Sequence, residues 1–148
     1  MTSDAATRPE ETVVIASVSG GKDSTAMCLH FIEEGIPFRP VFIDTGWESA
    51  STYEYLRDYL PGVIGPIEWI RSEVKLSPEL EPVALEFEAR LGHYSAMIRW
   101  CLHKAMFPSR LRRWCTDYTK TKPMRAYLHG LEDDPVNAVG VRAGESIA

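Results

Sequence analysis

The chain has 148 residues, of which 45% are hydrophobic and four are Trp, enough to bury the core of one compact domain. No stretch approaches the roughly 20 consecutive apolar residues that a membrane-spanning helix needs. The polar start of the chain has neither the apolar core of a signal peptide nor the Arg-rich bias of a transit peptide. These features predict a cytoplasmic protein with no membrane partner.

Residues 1–11 combine Thr, Ser, Ala and charged residues with one Pro, which predicts a flexible N-terminal tail. The three cysteines, Cys28, Cys101 and Cys115, have no CxxC spacing. The absence of that spacing argues against a disulfide framework and against a self-contained zinc site, so we expect reduced thiols.

Strands and helices alternate in the first half of the chain. Apolar, β-branched runs predict buried strands at residues 13–18, 40–44 and 67–71. Helices are predicted between them, at residues 24–34 up to Gly35 and at residues 49–60 up to the Pro61-Gly62 pair. This order predicts βαβ units, hence an open, doubly wound parallel α/β sheet whose ligands bind at the carboxyl ends of the strands.

The second half of the chain is less regular. Residues 77–108 have a broken helical pattern with prolines at 78, 82 and 108, which predicts an irregular helical insertion. A helix is predicted at residues 116–129 with Gly130 as its stop, followed by a fourth strand at residues 136–141.

Charge is unevenly distributed along the chain. The net charge is -5, yet residues 90–125 contain nine basic side chains against the single acid Asp117. Such clustering favours a polyanionic partner, either nucleotide phosphates, a nucleic acid or a sulfur-donor protein, although a solvated helical face has the same composition. The basic residues are Arg90, Arg99, Lys104, Arg110, Arg112, Arg113, Lys120, Lys122 and Arg125.

A loop between the first strand and the first helix has the composition of a phosphate-binding site. Gly20 and Gly21 allow the backbone N–H groups to approach an anion, and the positive end of the helix dipole points to the same place. Lys22 adds a positive charge, and the Ser19 and Ser24 hydroxyls add hydrogen bonds. The loop is not a Walker loop, because it lacks the GxxxxGK[ST] spacing.

Four motifs resemble the PP-loop ATP pyrophosphatase and phosphoadenosine phosphosulfate (PAPS) reductase superfamily. Residues 17–24 are similar to its SxSGGKDS loop, and residues 42–48 to a strand that ends in Asp-Thr-Gly and an aromatic residue. Residues 113–116 with Lys120, Lys122 and Pro123 resemble its Cys-Thr then Lys-x-x-Pro region, and residues 140–146 its Gly-[IV]-Arg-x-x-Glu-Ser motif. The resemblance covers residues 17–146.

The resemblance implies an adenine nucleotide alpha hydrolase-like, Rossmann-like fold over residues 12–148. It implies that the chain binds ATP, or PAPS, with Mg²⁺, and that an acceptor is adenylylated with release of pyrophosphate, with sulfur transfer as one use of that step. Lys22 and the loop amides would stabilise the leaving pyrophosphate. The implied nucleotide-binding residues are Ser17, Ser19, Gly20, Gly21, Lys22, Asp23, Ser24, Asp44, Thr45, Arg142 and Glu145.

The chain also departs from the reductase pattern. It carries no cysteine in a C-terminal tail and no cysteine pair near Cys115, so it holds no complete iron–sulfur site. The alternatives are a sulfonucleotide reductase without its cysteine tail, or a nucleotide- or nucleic-acid-binding subunit without catalysis. The sequence stops inside the Glu-Ser motif, which leads us to expect a missing C-terminal piece, a homo-oligomer or a partner subunit.

Three further residues have two interpretations each. Cys115, beside Arg112 and Arg113, is either a catalytic, sulfur-handling thiol or an ordinary half-buried cysteine. Asp44 is either a ligand contact or the first residue of an Asp-Thr-Gly turn. Arg142 binds either a phosphate or a surface carboxylate.

Overall fold

The computed structural model describes residues 12–132 and 134–142. Within these residues four strands form one parallel sheet in the order β3-β2-β1-β4. The strands are β1 (Val14–Val18), β2 (Phe38–Ile43), β3 (Glu68–Ile70) and β4 (Val136–Val139). The central strand β1 pairs Val14 with Phe38 on one side and with Val136 on the other. The chain is therefore an open, all-parallel α/β protein with a Rossmann-like arrangement, as the alternating pattern predicts.

The helices connect the strands and form the insertion. The described residues contain α1 (Lys22–Glu33), α2 (Ala50–Glu54), α3 (Pro61–Ile64), α4 (Glu81–Leu91), α5 (Ala96–Lys104), α6 (Trp114–Thr116) and α7 (Lys122–His129). Two π-helical segments, Tyr55–Tyr59 and Asp117–Thr121, join α2 to α3 and α6 to α7. No helix in the described ranges is both long and apolar enough to cross a membrane.

The sheet buries apolar side chains on both faces. Adjacent residues of a strand point to opposite faces, and Ile15 and Ala16 accordingly belong to different core clusters. One face packs on α1 and on the helical run from α2 to α3, through Cys28, Leu56, Leu60 and Ile64. The other face packs on α7, where Met124 contacts the cluster of Ile15 and Val41. Helices thus cover both faces of the sheet, as the doubly wound arrangement requires.

Some predicted boundaries differ from the structure for physical reasons. The Pro61-Gly62 pair was expected to end a helix, but Pro61 is the first residue of α3, a position at which the missing N–H has no cost. The fourth strand was expected to reach residue 141. It ends at Val139, where its pairing with Ser17 of β1 stops. The predicted tail, residues 1–11, lies outside the described residues.

The insertion is held together by an internal ion pair. Arg99 of α5 is only 6% exposed, and its Nε lies 2.7 Å from Oε1 of Glu88 on α4. Its Nη2 lies 2.9 Å from Glu81 Oε1 at the start of α4. Glu88 also accepts a hydrogen bond from the backbone N–H of Ser95, 3.0 Å away. The bonds from Arg99, followed by that from Ser95, lower the pKa of Glu88 despite its burial.

Candidate functional site

The loop between β1 and α1 requires glycine. Gly20 has a φ of +78°, in the left-handed region, and a Cβ there would lie 3.1 Å from Thr52 Cγ2. Gly21 follows as the N-cap of α1 and provides no capping side chain. The chain thus leaves β1, turns within three residues and enters α1 at Lys22, two residues earlier than predicted.

Two serine hydroxyls fix the shape of this loop. Ser24 is 4% exposed, and its Oγ accepts a bond from the Ser19 N–H at 3.1 Å and donates one to the Gly21 carbonyl at 3.1 Å. Ser19 Oγ accepts a weaker bond from the Gly21 N–H at 3.3 Å. The first N–H groups of an α-helix have no partner within the helix. Because this loop is held against the start of α1, those groups form a site suited to an anion.

A cleft of about 540 Å³ lies beside the loop, between the carboxyl ends of the strands and the helical run that ends in α7. Strand order reverses at β1, where β2 lies on one side and β4 on the other, and ligands of open α/β sheets bind at this point. The lining residues come from the loop and strands, from the segment after β2, and from the facing helix: Ser17, Val18, Ser19, Ser24, Phe42, Ile43, Glu48, Lys120, Thr121, Met124, Arg125, Leu128, Asn137, Val139 and Gly140.

The walls of the cleft differ in chemistry. The loop side presents the hydroxyls of Ser17, Ser19 and Ser24, and the facing helix presents the cations of Lys120 and Arg125. A larger part of the lining is apolar and comes from residues such as Phe42, Ile43, Met124 and Leu128. The cleft therefore suits a ligand with one anionic end and one flat, weakly polar end.

Ser17 also joins two strands at the floor of the cleft. Its Oγ donates a hydrogen bond of 2.8 Å to Oδ1 of Asn137 on β4. Both residues line the cleft. The bond holds the side-chain amide of Asn137 in a defined place, although Ser17 lies 120 positions away in sequence. The sequence interpretation included Ser17 but not Asn137.

The Asp-Thr-Gly segment after β2 forms a turn. Asp44 Oδ1 accepts bonds from the Gly46 N–H at 2.8 Å and from the Tyr53 hydroxyl at 2.7 Å. Thr45 Oγ1 donates to Glu48 Oε1 at 3.3 Å. The contacts of Asp44 are those of the turn interpretation. Ile43 and Glu48, on either side of this turn, line the cleft. Asp44 and Thr45 are not among the described residues that line it.

The segment after β4 contacts the loop. Arg142 Nε lies 3.0 Å from Oδ2 of Asp23, so the carboxylate interpretation of Arg142 holds in this structure. Asp23 lies in the first turn of α1. The structure therefore brings Arg142 to the first turn of α1, next to the β1–α1 loop, through a contact that the motifs did not indicate. Glu145 lies outside the described residues.

The two residues predicted to be catalytic lie at different places. Lys22 is exposed at the first position of α1, directly after the loop. Cys115 is half-buried in α6, and its carbonyl accepts a 2.6 Å bond from Thr119 Oγ1. Neither is among the described residues that line the cleft. Burial, and secondarily the charge of Cys115, raises the pKa of the nearby Cys101 thiol.

The carboxylates near the cleft decide which residues could hold a magnesium ion. No group of three or more His, Cys, Asp or Glu side chains in the described part of the chain is arranged to hold a metal. Nucleotide-bound Mg²⁺ needs only one or two carboxylates besides phosphate oxygens and water. Glu48, the acidic residue that lines the cleft, fits that requirement.

The structure divides the basic segment of residues 90–125. Arg99 is buried with its two carboxylates, and Arg90 and Lys122 pair with Glu86 and Asp117 at 2.7 and 3.3 Å. These three basic residues are therefore paired with carboxylates of the chain itself. Lys120 and Arg125 line the cleft, a role that the basic composition of the segment did not reveal.

Comparisons with known proteins give relatives but no function. No protein-family model matches the chain. An uncharacterized 37.8 kDa protein of Escherichia phage 186 is 34% identical over 94% of this chain and 50% of its own length. An uncharacterized protein of Methanocaldococcus jannaschii is 27% identical over 90% of this chain and 23% of its own length. The chain thus spans half or less of the curated relatives that it matches.

Proposed function

We propose that the chain binds ATP in the cleft beside the β1–α1 loop and uses it to adenylylate an acceptor with release of pyrophosphate. One observation carries the proposal: Ser19 of the loop and Ser24 in the first turn of α1 line a cleft whose opposite wall supplies two cations, Lys120 and Arg125. An anion placed between them meets positive charge on both sides. The phosphate chain of a nucleotide is a common biological anion of the kind that such a site accommodates.

The phosphate end of the nucleotide is assigned to the loop. The N–H groups at the start of α1 and the exposed Lys22 ammonium are donors only, as an anion requires, and the Ser19 hydroxyl can donate as well as accept. The loop contains no acidic residue except Asp23, whose carboxylate is paired with Arg142. That pairing reduces the repulsion that a phosphate would otherwise meet.

The adenosine end is assigned to the apolar part of the cleft. The ring of Phe42 and the side chains of Ile43, Met124 and Leu128 offer surfaces for a flat base. A volume of about 540 Å³ is in the range of pockets that hold cofactor-sized ligands. The amide of Asn137 offers both a donor and an acceptor for a ribose or a base edge.

The proposed reaction is a displacement at the α-phosphorus. An acceptor oxygen forms a bond to the α-phosphorus, the bond to the bridging oxygen of pyrophosphate breaks, and pyrophosphate leaves with the electron pair. Lys22 and the loop N–H groups would stabilise the negative charge that develops on the leaving group. When bound with the nucleotide, Mg²⁺ would supply Lewis-acid stabilisation of the same charge.

Membership of the PP-loop and PAPS reductase-like superfamily, with its adenine nucleotide alpha hydrolase-like fold, belongs to this proposal. It is supported by the four motifs, by the parallel sheet and by the contact of Asp23 with Arg142, which joins two of the motifs. The cytoplasmic location stays a prediction of the sequence.

A second nucleotide, PAPS, is favoured by one feature. Lys120 and Arg125 lie on the wall opposite the loop, so the cleft can neutralise two separate anionic groups. PAPS carries a ribose phosphate in addition to its phosphosulfate. The reductase and the non-catalytic subunit are thus alternatives that use the same cleft.

Calorimetric titration with ATP–Mg²⁺ and, separately, with PAPS tests the proposal. Loss of a charged hydrogen bond costs about 1.5–3 kcal/mol, so Lys22→Ala is expected to weaken ATP binding about 10- to 100-fold. Lys75→Ala, at an exposed position outside the cleft, is the matched control and should bind as the unchanged chain does.

The outcomes separate the candidates. Tighter binding of ATP than of PAPS, with Lys22 dependence, supports the ATP-dependent reaction, and pyrophosphate release on addition of an acceptor would complete the support. Preference for PAPS would move the assignment to the sulfonucleotide branch. If neither nucleotide binds, or if Lys75→Ala weakens binding as much as Lys22→Ala, the proposed site is wrong.

A further inference from the structure

We propose that the loop of residues 105–113 binds a single-stranded nucleic acid. This loop, called the exposed loop below, connects α5 to α6 and contains no residue that lines the cleft. The inference rests on its anchoring, on its exposed apolar side chains and on its charge. It does not depend on nucleotide binding in the cleft.

The two ends of the exposed loop are held together. α5 stops where Ala105 takes a left-handed φ of 53°, and the Met106 N–H bonds to the Cys101 carbonyl at 3.1 Å. Lys104 Nζ then lies 5.8 Å from the centroid of the Trp114 ring, at the start of α6, and 3.8 Å from that of Tyr118. The base of the loop is therefore closed by a cation packed on aromatic rings.

The tip of the exposed loop is a tight turn. The Ser109 N–H bonds to the Arg112 carbonyl at 3.2 Å, and the Arg112 N–H bonds back to the Ser109 carbonyl at 3.1 Å. Ser109 Oγ also accepts from the Arg112 N–H at 3.2 Å. Arg110 and Leu111 occupy the corner of this turn. Their positions are thus set by the loop itself and do not require packing on the rest of the protein.

Apolar side chains on the exposed loop have little cover. Leu111 is 96% exposed and Phe107 is 81% exposed, the two highest values among large hydrophobic residues in the described part of the chain. Exposed apolar side chains that are grouped on one loop, with polar residues around them, are typical of interaction sites. The ring of Phe107 offers a flat surface on which another ring can stack.

The charge of the exposed loop identifies the partner as an anion. Arg110, Arg112 and Arg113 are exposed, and no salt bridge found in residues 12–132 and 134–142 involves them. No acidic residue occurs between Arg99 and Asp117. In a chain with a net charge of -5, three neighbouring guanidinium groups make a local field of opposite sign that attracts a polyanion.

The combination of Phe107 with the three arginines favours a single strand over a duplex or an acidic protein. Single-strand-binding surfaces combine cations that follow the phosphates with aromatic rings that stack on bases. A duplex hides the faces of its bases in its own stack, so Phe107 would have nothing to cover it. An acidic peptide would satisfy the arginines but has no regular supply of flat rings.

The position of the exposed loop relates it to the cleft. Helical residues continue from Trp114 through the π-helical segment to α7, and Lys120, in that run, lines the cleft. Six residues of helix rise about 9 Å, so a strand held at the loop lies near the cleft. The assignment of the bound strand as the acceptor that is adenylylated rests on the proposed function; the binding of the strand does not.

Fluorescence anisotropy with a labelled 20-nucleotide oligothymidylate, in the absence of nucleotide, tests the binding surface. The variant Arg110→Ala/Arg112→Ala/Arg113→Ala should bind more weakly, and the slope of log K against log salt should fall by about 2, at about 0.7 for each lost phosphate contact. Phe107→Ala should weaken binding about 5- to 100-fold, the effect of losing one stacked base.

The matched control changes the same charge at three other exposed arginines, Arg39→Ala/Arg57→Ala/Arg90→Ala. Because these residues lie outside the exposed loop, the control should keep the affinity and most of the salt slope. Circular dichroism melting of each variant checks that the fold is intact. Lys22→Ala should bind the oligonucleotide normally, so loss of ATP binding and loss of strand binding are distinguishable.

Four results would overturn the inference. They are absence of oligothymidylate binding, equal losses in the loop variant and in the control, tighter binding of a 20-base-pair duplex than of the single strand, and binding of a polyglutamate peptide in place of the oligonucleotide. The last result would assign the exposed loop to an acidic protein partner.

Discussion

A Cβ atom on Gly140 would lie 2.5 Å from the carbonyl oxygen of Asp23, so the backbone after β4 touches the backbone of the first turn of α1. The side chains reinforce this contact, because Arg142 reaches Asp23 as well. The end of β4 therefore supports the β1–α1 loop, and a change at Gly140 or Asp23 should alter the stability of the fold and, under the proposed function, nucleotide binding.

Gly140→Ala is expected to destabilise the fold and to weaken nucleotide binding. The new methyl group has no room beside the backbone of Asp23 and Ser24, and overpacking of this kind costs about 1–3 kcal/mol. Thermal unfolding and ATP titration measure the two effects. Gly62→Ala is the control, because nothing lies within 4 Å of its added Cβ. Equal melting temperatures for the two variants would contradict the contact.

Glu88→Gln is expected to lower the free energy of unfolding by about 3–5 kcal/mol near neutral pH, because it leaves Arg99 buried without its main counter-charge. Arg99 lowers the pKa of Glu88. The ion pair therefore stabilises the folded chain fully at pH values above the ordinary pKa of glutamate. The effect is lost as the pH falls through the lower, folded-state pKa. Denaturant unfolding from pH 7 into the acid range measures this loss.

The Glu88→Gln variant should lack that part of the acid dependence. Glu86→Gln removes an exposed partner of Arg90 and is the matched control, with an expected change of less than about 1 kcal/mol. If the free energy of unfolding falls with acid equally in the unchanged chain and in Glu88→Gln, another carboxylate controls that loss.

Cys28 is expected to resist thiol reagents in the folded chain. It is fully buried against the sheet, and burial raises the pKa of its thiol to about 11. At pH 8, iodoacetamide should modify Cys28 only after unfolding, while the half-buried Cys115 supplies the comparison within the same chain. Peptide mass mapping measures the extent at each site, and rapid modification of Cys28 in the native chain would contradict its burial.

Tyr118 is expected to ionise before Tyr53, Tyr94 and Tyr127, because its pKa is lowered and theirs are raised. Hydrogen bonding and charge from Lys104 and Lys122 lower the pKa of Tyr118, whereas burial raises the pKa of Tyr127 to about 12. A spectroscopic titration of tyrosinate absorbance should show an early component below the ordinary tyrosine value. Tyr118→Phe should remove that component and Tyr127→Phe should keep it. An unchanged titration curve in Tyr118→Phe would contradict the two-lysine contact.

Much of the fold was predictable because local patterns agree with it. The strands lie within two residues of the predicted ranges, and the burial of both Ile15 and Ala16, on opposite faces, follows from a parallel sheet covered on both faces. The tight turn of the β1–α1 loop was predictable for the same reason, since a short turn into a helix restricts the backbone at Gly20.

Other features depend on contacts that no local pattern contains. The pairing of Ser17 with Asn137 and of Asp23 with Arg142 joins residues about 120 positions apart in sequence. The basic character of Arg99 suggested exposure, but Glu88 and Glu81 bury it. The π-helical segment Asp117–Thr121 sets which residues of the following helix face the cleft, and a regular helical period does not predict it.

The placement of β4 beside β1 has a consequence for the order of folding. The first three strands and the helices that cover one face come from residues 14–70, so their contacts close short loops. The pairing of Val14 with Val136 closes a much longer loop and costs more chain entropy. During synthesis the β1–α1 loop can therefore form early, while the part of the cleft that Asn137 and Val139 line forms only when β4 is in place.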